Sequence, residues 1–178
     1  MTSRLAMART GRAWAVGDSV DTNQLAGGGL AGPTPQDTLR LNCLRVLRPE
    51  FPAQVRPGDF VVAGQNFGCG SSRQTAVEAL IVSQVAGVVA ESVARIFRRN
   101  SIALAFPLFV VPGVRSAVDD GDEVTVDYAR GVLVDRTKDV TLPIERWSSG
   151  VEEIYGRGGL ANLITARLTA LGHPPEPR

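Results

Sequence analysis

Residues 64–73 read Gly-Gln-Asn-Phe-Gly-Cys-Gly-Ser-Ser-Arg and follow a short apolar run, Phe60 to Ala63. The three glycines permit tight or left-handed backbone, which lets the main chain approach a ligand closely. Ser71, Ser72 and Arg73 bring two hydroxyl groups and a guanidinium to the predicted start of a helix. Unpaired N–H groups at a helix start attract anions, and an arginine fork grips a carboxylate through two hydrogen bonds. The stretch therefore predicts a cradle for a carboxylate or phosphate with a serine hydroxyl beside it.

Ser71 also has a purely structural interpretation. With Gln74 it has the spacing of a capping box, in which the serine begins a helix and does no chemistry. The common phosphate-binding loops do not match, since no lysine follows the glycines and the last glycine of a dinucleotide fingerprint is missing. From the spacing alone, the helix cap and the anion cradle both stay open.

Predicted strands and helices alternate around this loop. The order of the elements is typical of a parallel sheet with right-handed crossovers. Short buried strands are predicted over 60–63, 88–90 and 106–111, with helices over 72–86 and over 93–101, the latter capped by Ser92.

The remaining patterns predict a first strand, a hairpin and two more helices. We expect one domain over residues 12–171, with a flexible leader over 1–12 and a flexible tail over 172–178. The strand is predicted over 13–16, the helices over 36–47 and 159–171, the hairpin arms over 124–128 and 132–134, and a Gly/Pro-rich loop over 25–36.

Composition excludes several kinds of partner. The 178 residues are 44% hydrophobic and 21% charged, with a formal net charge of +1, which is typical of a soluble globular domain. Nothing in this balance favours nucleic acid. The longest apolar run, 102–111, contains Pro107 and is too short to cross a membrane. Two cysteines, Cys43 and Cys69, form no disulfide framework, and we expect a reducing, cytoplasmic compartment.

Histidine and cysteine usage narrows the chemistry. The single histidine, His173, lies in a proline-rich tail, which excludes Ser-His-Asp triads, Cys-His pairs and His-based zinc sites within this sequence. Two distant cysteines are too few to ligate an iron–sulfur cluster. We therefore expect no metal or cofactor to be bound by this chain alone.

Residues 58–73 closely resemble the active-site segment of the 3-isopropylmalate dehydratase small subunits, swivelling domains of the aconitase superfamily. The resemblance covers most of residues 12–171. It implies an α/β fold, namely a three-layer β/β/α swivelling domain as in the aconitase C-terminal domain. Three further stretches agree in order and spacing: Val-Asp-Thr-Asn-Gln-Leu at 20–25, Glu-Ser-Val-Ala-Arg-Ile-Phe-Arg-Arg-Asn at 91–100 and Gly-Gly-Leu at 158–160.

The resemblance also implies an activity. The family removes water from a hydroxy-dicarboxylate and adds it back, in leucine biosynthesis, with a [4Fe-4S] cluster that we expect on a separate large subunit. Ser71 matches the position of the family's catalytic base, and Ser72 and Arg73 match its substrate-binding residues. Such a reaction needs a base for an unacidic C–H proton and cationic groups for the carboxylates.

Several departures bear on the substrate. Asn23 stands where relatives usually carry aspartate, and Gln74 and Thr75 replace a common Glu-His pair. The substrate loop carries glycines at 27–29 and Leu30, and we expect it to be mobile until partner and substrate bind. Asn23 and Leu30 remain candidate substrate contacts. The alternatives are a related dehydratase acting on homoaconitate, methylmalate or dimethylmalate, and a non-catalytic anion-binding module of the same fold.

Overall fold

The computed structural model describes residues 8–28 and 34–173, and within these ranges seven strands form one sheet in the order β4-β3-β2-β1-β5-β6-β7. The first four strands pair in parallel, as the alternation of strands and helices predicts. Their bounds are β1 Arg9–Ala15, β2 Phe60–Ala63, β3 Gly87–Ala90 and β4 Leu108–Val110.

The remaining strands form an antiparallel ribbon that continues the same sheet. The predicted hairpin is β5 (Glu123–Asp127) and β6 (Val132–Asp135), and a third strand, β7 (Val140–Pro143), pairs with β6. Strand β7 was not predicted. Its half-buried and exposed residues alternate, but four residues with none fully buried are too short a span to mark a strand by periodicity.

Strand β1 joins the two halves by changing partners along its length. Residues 9–12 pair antiparallel with 123–126 of β5, and residues 13–15 pair in parallel with 60–62 of β2. Gly11 lies at the crossing, where an added Cβ would sit 2.1 Å from the carbonyl oxygen of Gly58. The strand therefore begins at Arg9 and not at 13, and residues 9–12 belong to the sheet and not to a leader.

Two hydrophobic clusters, one on each face of the parallel strands, define three layers. Val61, Ala63, Val88 and Ala90 face the helices, in a cluster that includes Phe51, Leu80 and Phe97. Phe60, Val62, Val89 and Phe109 face the antiparallel ribbon, in a cluster with Val124, Val126 and Leu133. The layers run from helices to parallel strands to antiparallel ribbon, which confirms the α/β, three-layer β/β/α prediction.

Three of the four predicted helices are shorter than predicted, the one predicted over 93–101 is shifted by two residues, and four further helices were not predicted. The helix expected over 36–47 ends at Asn42, because Leu44 adopts a left-handed φ of 53°. The helix expected over 72–86 ends at Val82, close to Gln84 with a φ of 60°. The bounds are α1 Thr22–Ala26, α2 Gln36–Asn42, α3 Phe51–Gln54, α4 Thr75–Val82, α5 Arg95–Ala103, α6 Val114–Ala117, α7 Ser149–Gly156 and α8 Leu160–Ala170.

The termini and the glycine loop are only partly described. Residues 1–7, 29–33 and 174–178, which include Leu30 and the third loop glycine, lie outside the described residues. Gly172 and His173 are exposed beyond α8. No helix in the described ranges has the length and apolar content that a bilayer crossing demands.

Candidate active site

The loop 64–73 leaves the carboxyl end of β2 and is held on one side by residues 18–22. The Ser19 N–H donates to the Gln65 carbonyl at 2.7 Å, and the Gly68 N–H donates to the Val20 carbonyl at 2.8 Å. The Thr22 N–H donates to the Cys69 carbonyl at 2.9 Å. In parallel sheets this end of the strands is where ligands commonly bind.

The other side of the loop lies along α5. The Ser92 hydroxyl accepts from the Asn66 N–H at 2.8 Å, and the Ala94 N–H donates to the Phe67 carbonyl at 2.8 Å. Ser92 was expected to cap a helix starting at 93. The helix instead begins at Arg95, with Ala94 at the N-cap and no side-chain cap bond. The Ser92 hydroxyl therefore fixes the loop and not the helix.

Gly68 sets how closely the loop approaches α5. Its φ is 76°, and an added Cβ would lie 2.2 Å from the Phe97 ring. Phe97 packs edge-on against Phe67, with ring centroids 5.3 Å apart. Only glycine combines this conformation with this contact.

Ser71 points its hydroxyl at Arg73. The Ser71 Oγ accepts from the Arg73 backbone N–H at 3.3 Å and from the Arg73 Nε at 3.1 Å. The Ser71 N–H donates to the Thr22 Oγ1 at 2.9 Å. Ser71 is half-buried, whereas Ser72 and Arg73 are exposed. The side chains of this tripeptide are thus presented at the surface from a main chain that is firmly held.

The capping-box interpretation of Ser71 is wrong. Helix α4 begins at Thr75 with Gln74 at the N-cap, and no side chain caps it. The Asn100 amide donates to the Ser72 carbonyl at 2.9 Å and to the Arg73 carbonyl at 3.4 Å. These two carbonyls therefore accept from a side chain and do not form an additional N-terminal turn of α4. The helix dipole acts mainly within the first turn, so Arg73 is the positive group beside the Ser71 oxygen.

Asn23 lies next to this corner of the molecule. It is exposed in α1, whose start is fixed by a capping box between Asp21 and Gln24. The Asn23 Cβ lies 3.8 Å from the position that a Cβ on Gly28 would take, so Asn23 borders the glycine loop. The predicted contact Leu30 falls outside the described residues.

Thr22 and Asn100 are site residues that the sequence analysis did not single out. Both make hydrogen bonds to the Ser71–Arg73 main chain, from 49 and 28 positions away in the sequence. Each lies in one of the stretches that carry the family resemblance, 20–25 and 91–100. The stretches were visible in the sequence, but the pairing of these side chains with the loop was not.

The cysteines of this chain do not fit an iron–sulfur cluster. Cys43 is fully buried at the end of α2, where burial raises the pKa of its thiol to about 12. Cys69 is in the loop, and its Sγ donates to the Ser19 carbonyl at 3.4 Å. Across residues 8–28 and 34–173, no three His, Cys, Asp or Glu side chains are placed to hold a metal ion. A cluster needs three or four cysteine ligands, and these two thiols lie on separate elements.

Comparison with known proteins identifies the family. The profile described as the aconitase C-terminal domain matches residues 39–108, which include the loop and the Ser71–Arg73 tripeptide. A protein named 3-isopropylmalate dehydratase small subunit 1, from Archaeoglobus fulgidus, is 41% identical over 150 residues, covering 84% of this chain and 92% of the relative. The chain belongs to the 3-isopropylmalate dehydratase small-subunit family.

A solved structure supports the same assignment. The crystal structure of 3-isopropylmalate dehydratase from Methanocaldococcus jannaschii superposes with a TM-score of 0.87 at 35% identity, covering 93% of this chain and 98% of that one. A Methanothermobacter thermautotrophicus relative, 40% identical and covering 85% of this chain and 88% of its own length, is named methanogen homoaconitase small subunit. These names describe small subunits of hydro-lyases, each of which implies a large-subunit partner. The predicted family, fold and enzyme class are confirmed.

Proposed function

We propose that this chain acts as the small subunit of a two-subunit hydro-lyase that dehydrates and rehydrates 3-isopropylmalate. The observation that carries the proposal is that the Ser71 Oγ accepts hydrogen bonds from both the backbone N–H and the Nε of Arg73. This places a cation directly against the one oxygen that the reaction needs as a base. The 3-isopropylmalate dehydratase relatives, matched over most of their length, support the reaction class.

Ser71 is the proposed base. Dehydration next to a carboxylate requires removal of an unacidic C–H proton, and this sequence has no histidine near the loop to activate a serine. Two donors aimed at the Ser71 Oγ favour the anionic form of that oxygen. In this role the Ser71 oxygen takes the proton in dehydration and returns it in hydration.

Ser72 and Arg73 are the proposed carboxylate-binding residues. Both are exposed next to Ser71, and their carbonyls are held by Asn100. A guanidinium carries five N–H donors in a plane, and this geometry matches the two oxygens of a carboxylate. The Nε of Arg73 lies 3.1 Å from the Ser71 Oγ, so a carboxylate bound by this guanidinium would lie beside the base. The first turn of α4 adds main-chain N–H groups that lack intrahelical acceptors.

A [4Fe-4S] cluster on the large subunit completes the proposed enzyme. Its chemistry is Lewis acidity toward the departing hydroxyl. Because the two thiols of this chain do not fit a cluster, the partner must supply all of its cysteine ligands. We further propose that the enzyme is cytoplasmic and that neither nucleic acid nor a membrane is a partner, in keeping with the near-neutral charge.

Homoaconitate is the alternative substrate, and one relative of nearly equal identity is named for it. Asn23 and Leu30 are the proposed substrate contacts, and the apolar side chain of Leu30 is proposed to meet an alkyl group. The isopropyl group of isopropylmalate and the additional carboxylate of homoaconitate make opposite demands on these side chains. A neutral Asn23 and an apolar Leu30 favour the alkyl-bearing substrate.

The test is reconstitution. The chain is co-expressed with its large subunit, and hydration of isopropylmaleate and of homoaconitate is measured by loss of their ultraviolet absorbance. We expect a brown complex active on isopropylmaleate, and a colourless, inactive small subunit when purified alone. Activity on homoaconitate only would mean that the substrate is homoaconitate and not the isopropyl compound. A well-assembled complex without activity on any hydroxy-dicarboxylate would favour the non-catalytic anion-binding module.

A further inference from the structure

Thr22 places its hydroxyl against the main chain just before the proposed base. Thr22 is only 7% exposed, and its Oγ1 accepts from the Ser71 N–H at 2.9 Å. Its own N–H donates to the Cys69 carbonyl at 2.9 Å, so Thr22 grips the loop on both sides of Gly70. A Cβ on Gly70 would lie 3.1 Å from the Thr22 Oγ1, so the hydroxyl is pressed against this backbone.

This hydroxyl is not needed to form its own helix. The Asp21 side chain accepts from the N–H groups of Asn23 and Gln24, and the Gln24 side chain accepts from the Asp21 N–H. The start of α1 is therefore satisfied without the Thr22 side chain. The only hydrogen bond that the structure gives the Thr22 Oγ1, within the described residues, is the one from Ser71.

Asn100 performs the matching task on the other side of the tripeptide. Its amide donates to the carbonyls of Ser72 and Arg73, and it lies one turn along α5 from Phe97, which is buried against Gly68. Helix α5 thus fixes the position of the Arg73 main chain through Asn100. Thr22 fixes the N–H at the start of the tripeptide, and Asn100 fixes the carbonyls at its end.

We propose that Thr22 and Asn100 are positioning residues, which clamp the Ser71–Arg73 main chain so that the serine oxygen and the guanidinium keep their mutual geometry. Neither residue touches the reacting atoms. Thr22 controls the placement of Ser71, and its loss should lower kcat. Asn100 controls the placement of Arg73, and its loss should raise KM for the dicarboxylate.

The kinetic test rests on the proposed function and uses the assembled complex. We expect Thr22→Val to lower kcat by about tenfold to a hundredfold with KM changed by less than about threefold. Thr22→Ser keeps the hydroxyl and should have a kcat close to that of wild type. Thr10→Val is the matched control, because the Thr10 hydroxyl bonds Thr125 in the sheet at 2.8 Å. Equal losses for Thr22→Ser and Thr22→Val, or wild-type kcat in Thr22→Val, would overturn the clamp at Thr22.

Asn100→Asp tests the other half of the clamp independently, and it remains informative if Thr22→Val does not fold. The carboxylate would face two carbonyl oxygens, and we expect KM to rise about tenfold, with a smaller effect on kcat. Asn162→Asp is the control, because the Asn162 amide likewise donates to two carbonyls, at 3.2 Å each, in the exposed α8. An unchanged KM in Asn100→Asp would overturn the clamp at Asn100.

Hydrogen exchange of the Ser71 amide tests the clamp at Thr22 without an activity measurement. In the isotope-labelled full-length small subunit, the Ser71 amide should exchange slowly in wild type and Thr22→Ser, and at least about tenfold faster in Thr22→Val. Rapid Ser71 exchange in wild type would contradict the clamp. A complex that is inactive while Ser71 exchange follows this pattern would remove the proposed function and leave the clamp in place.

Discussion

The Nε of Arg73 lies 3.1 Å from the Oγ of Ser71, and the two residues are separated by Ser72 alone. The same oxygen also accepts from the Arg73 backbone N–H. This pairing is not part of a helix cap, because α4 starts four residues later at Thr75. A serine oxygen held by a guanidinium at an exposed loop is suited to carry negative charge.

Replacing Ser71 should separate stability from activity. Because the Ser71 Oγ hydrogen-bonds only with Arg73 among the described residues, Ser71→Ala should change the free energy of unfolding by less than about 0.5 kcal/mol, below the usual cost of a lost N-cap. Turnover of the complex should fall by about a hundredfold or more. Urea denaturation and steady-state kinetics measure both. Ser116→Ala, which removes an exposed hydroxyl bonded to Gly113, is the control. Near wild-type turnover in Ser71→Ala would remove the base assignment.

Arg73→Lys tests the guanidinium separately from its charge. Lysine keeps the positive charge and the backbone N–H, but it lacks the Nε and the two-pronged fork. We expect KM for the substrate to rise by about tenfold or more, and kcat to fall as well, because the Ser71 oxygen loses a donor. Kinetics of the complex measure both constants. Arg167→Lys, at an exposed ion pair with Glu153, should behave as wild type. Unchanged constants in Arg73→Lys would contradict the proposed carboxylate grip.

Two glycine substitutions compare conformation with crowding. Gly121 has a φ of 88° with open space around it, so Gly121→Ala should cost about 1–2 kcal/mol for the left-handed backbone alone. Gly68→Ala adds a clash with the Phe97 ring to a similar φ, and the total should reach about 3 kcal/mol or more. Denaturant titration of the small subunit measures the difference. Equal losses of unfolding free energy in the two variants would mean that the Phe97 ring moves aside easily and that the close approach of Gly68 to it does not contribute to stability.

Acid should weaken the contact between Arg48 and Asp120. Arg48 donates to the two carboxylate oxygens of Asp120 at 2.7 and 2.9 Å, and these bonds lower the pKa of that carboxyl. A lowered pKa in the folded state stabilises the protein above the unfolded value of about 3.9, and this stability is lost as the pH falls through the folded value. Asp120→Asn should therefore show a shallower fall of unfolding free energy with acid than wild type. Urea denaturation at a series of acidic pH values measures the slope, and the same slope in Asp120→Asn as in wild type would contradict this contribution.

The two cysteines should differ in reactivity and should not matter for iron. Cys43 is fully buried with a thiol pKa of about 12, so in the native chain only Cys69 should react with a thiol reagent at a pH of about 8. Unfolding should expose both. In the complex, Cys43→Ala and Cys69→Ala should leave the iron content unchanged. Loss of iron in either variant would show that this chain ligates the cluster.

Part of this site was predictable because local patterns carry it. The order Gly-Cys-Gly-Ser-Ser-Arg after a buried strand predicted a loop that brings two serines and an arginine ahead of a helix, as the structure has it. Anion binding by this loop stays a prediction, as does the expectation that this chain alone holds no metal. The short apolar runs around 60–63 and 88–90 predicted parallel strands. Each inference depends only on residue type and close spacing. The short helices α3 and α6, of four residues each, have too few turns to show a helical period.

Only the tertiary structure showed that Ser71 does not cap α4. The sequence by itself determined the parallel strands, the hairpin and the side chains available in the loop, because hydrophobic periodicity and residue composition are local properties, while the layer order followed from the family resemblance. It left both the helix cap and the reactive serine open. The loop conformation that rules out the cap is held by Thr22 and Asn100, which reach the Ser71–Arg73 main chain from 49 and 28 positions away. The extent of β1 depends likewise on pairing with β5, more than a hundred residues further along. Such contacts form only when the layers pack, and no short stretch of sequence encodes them.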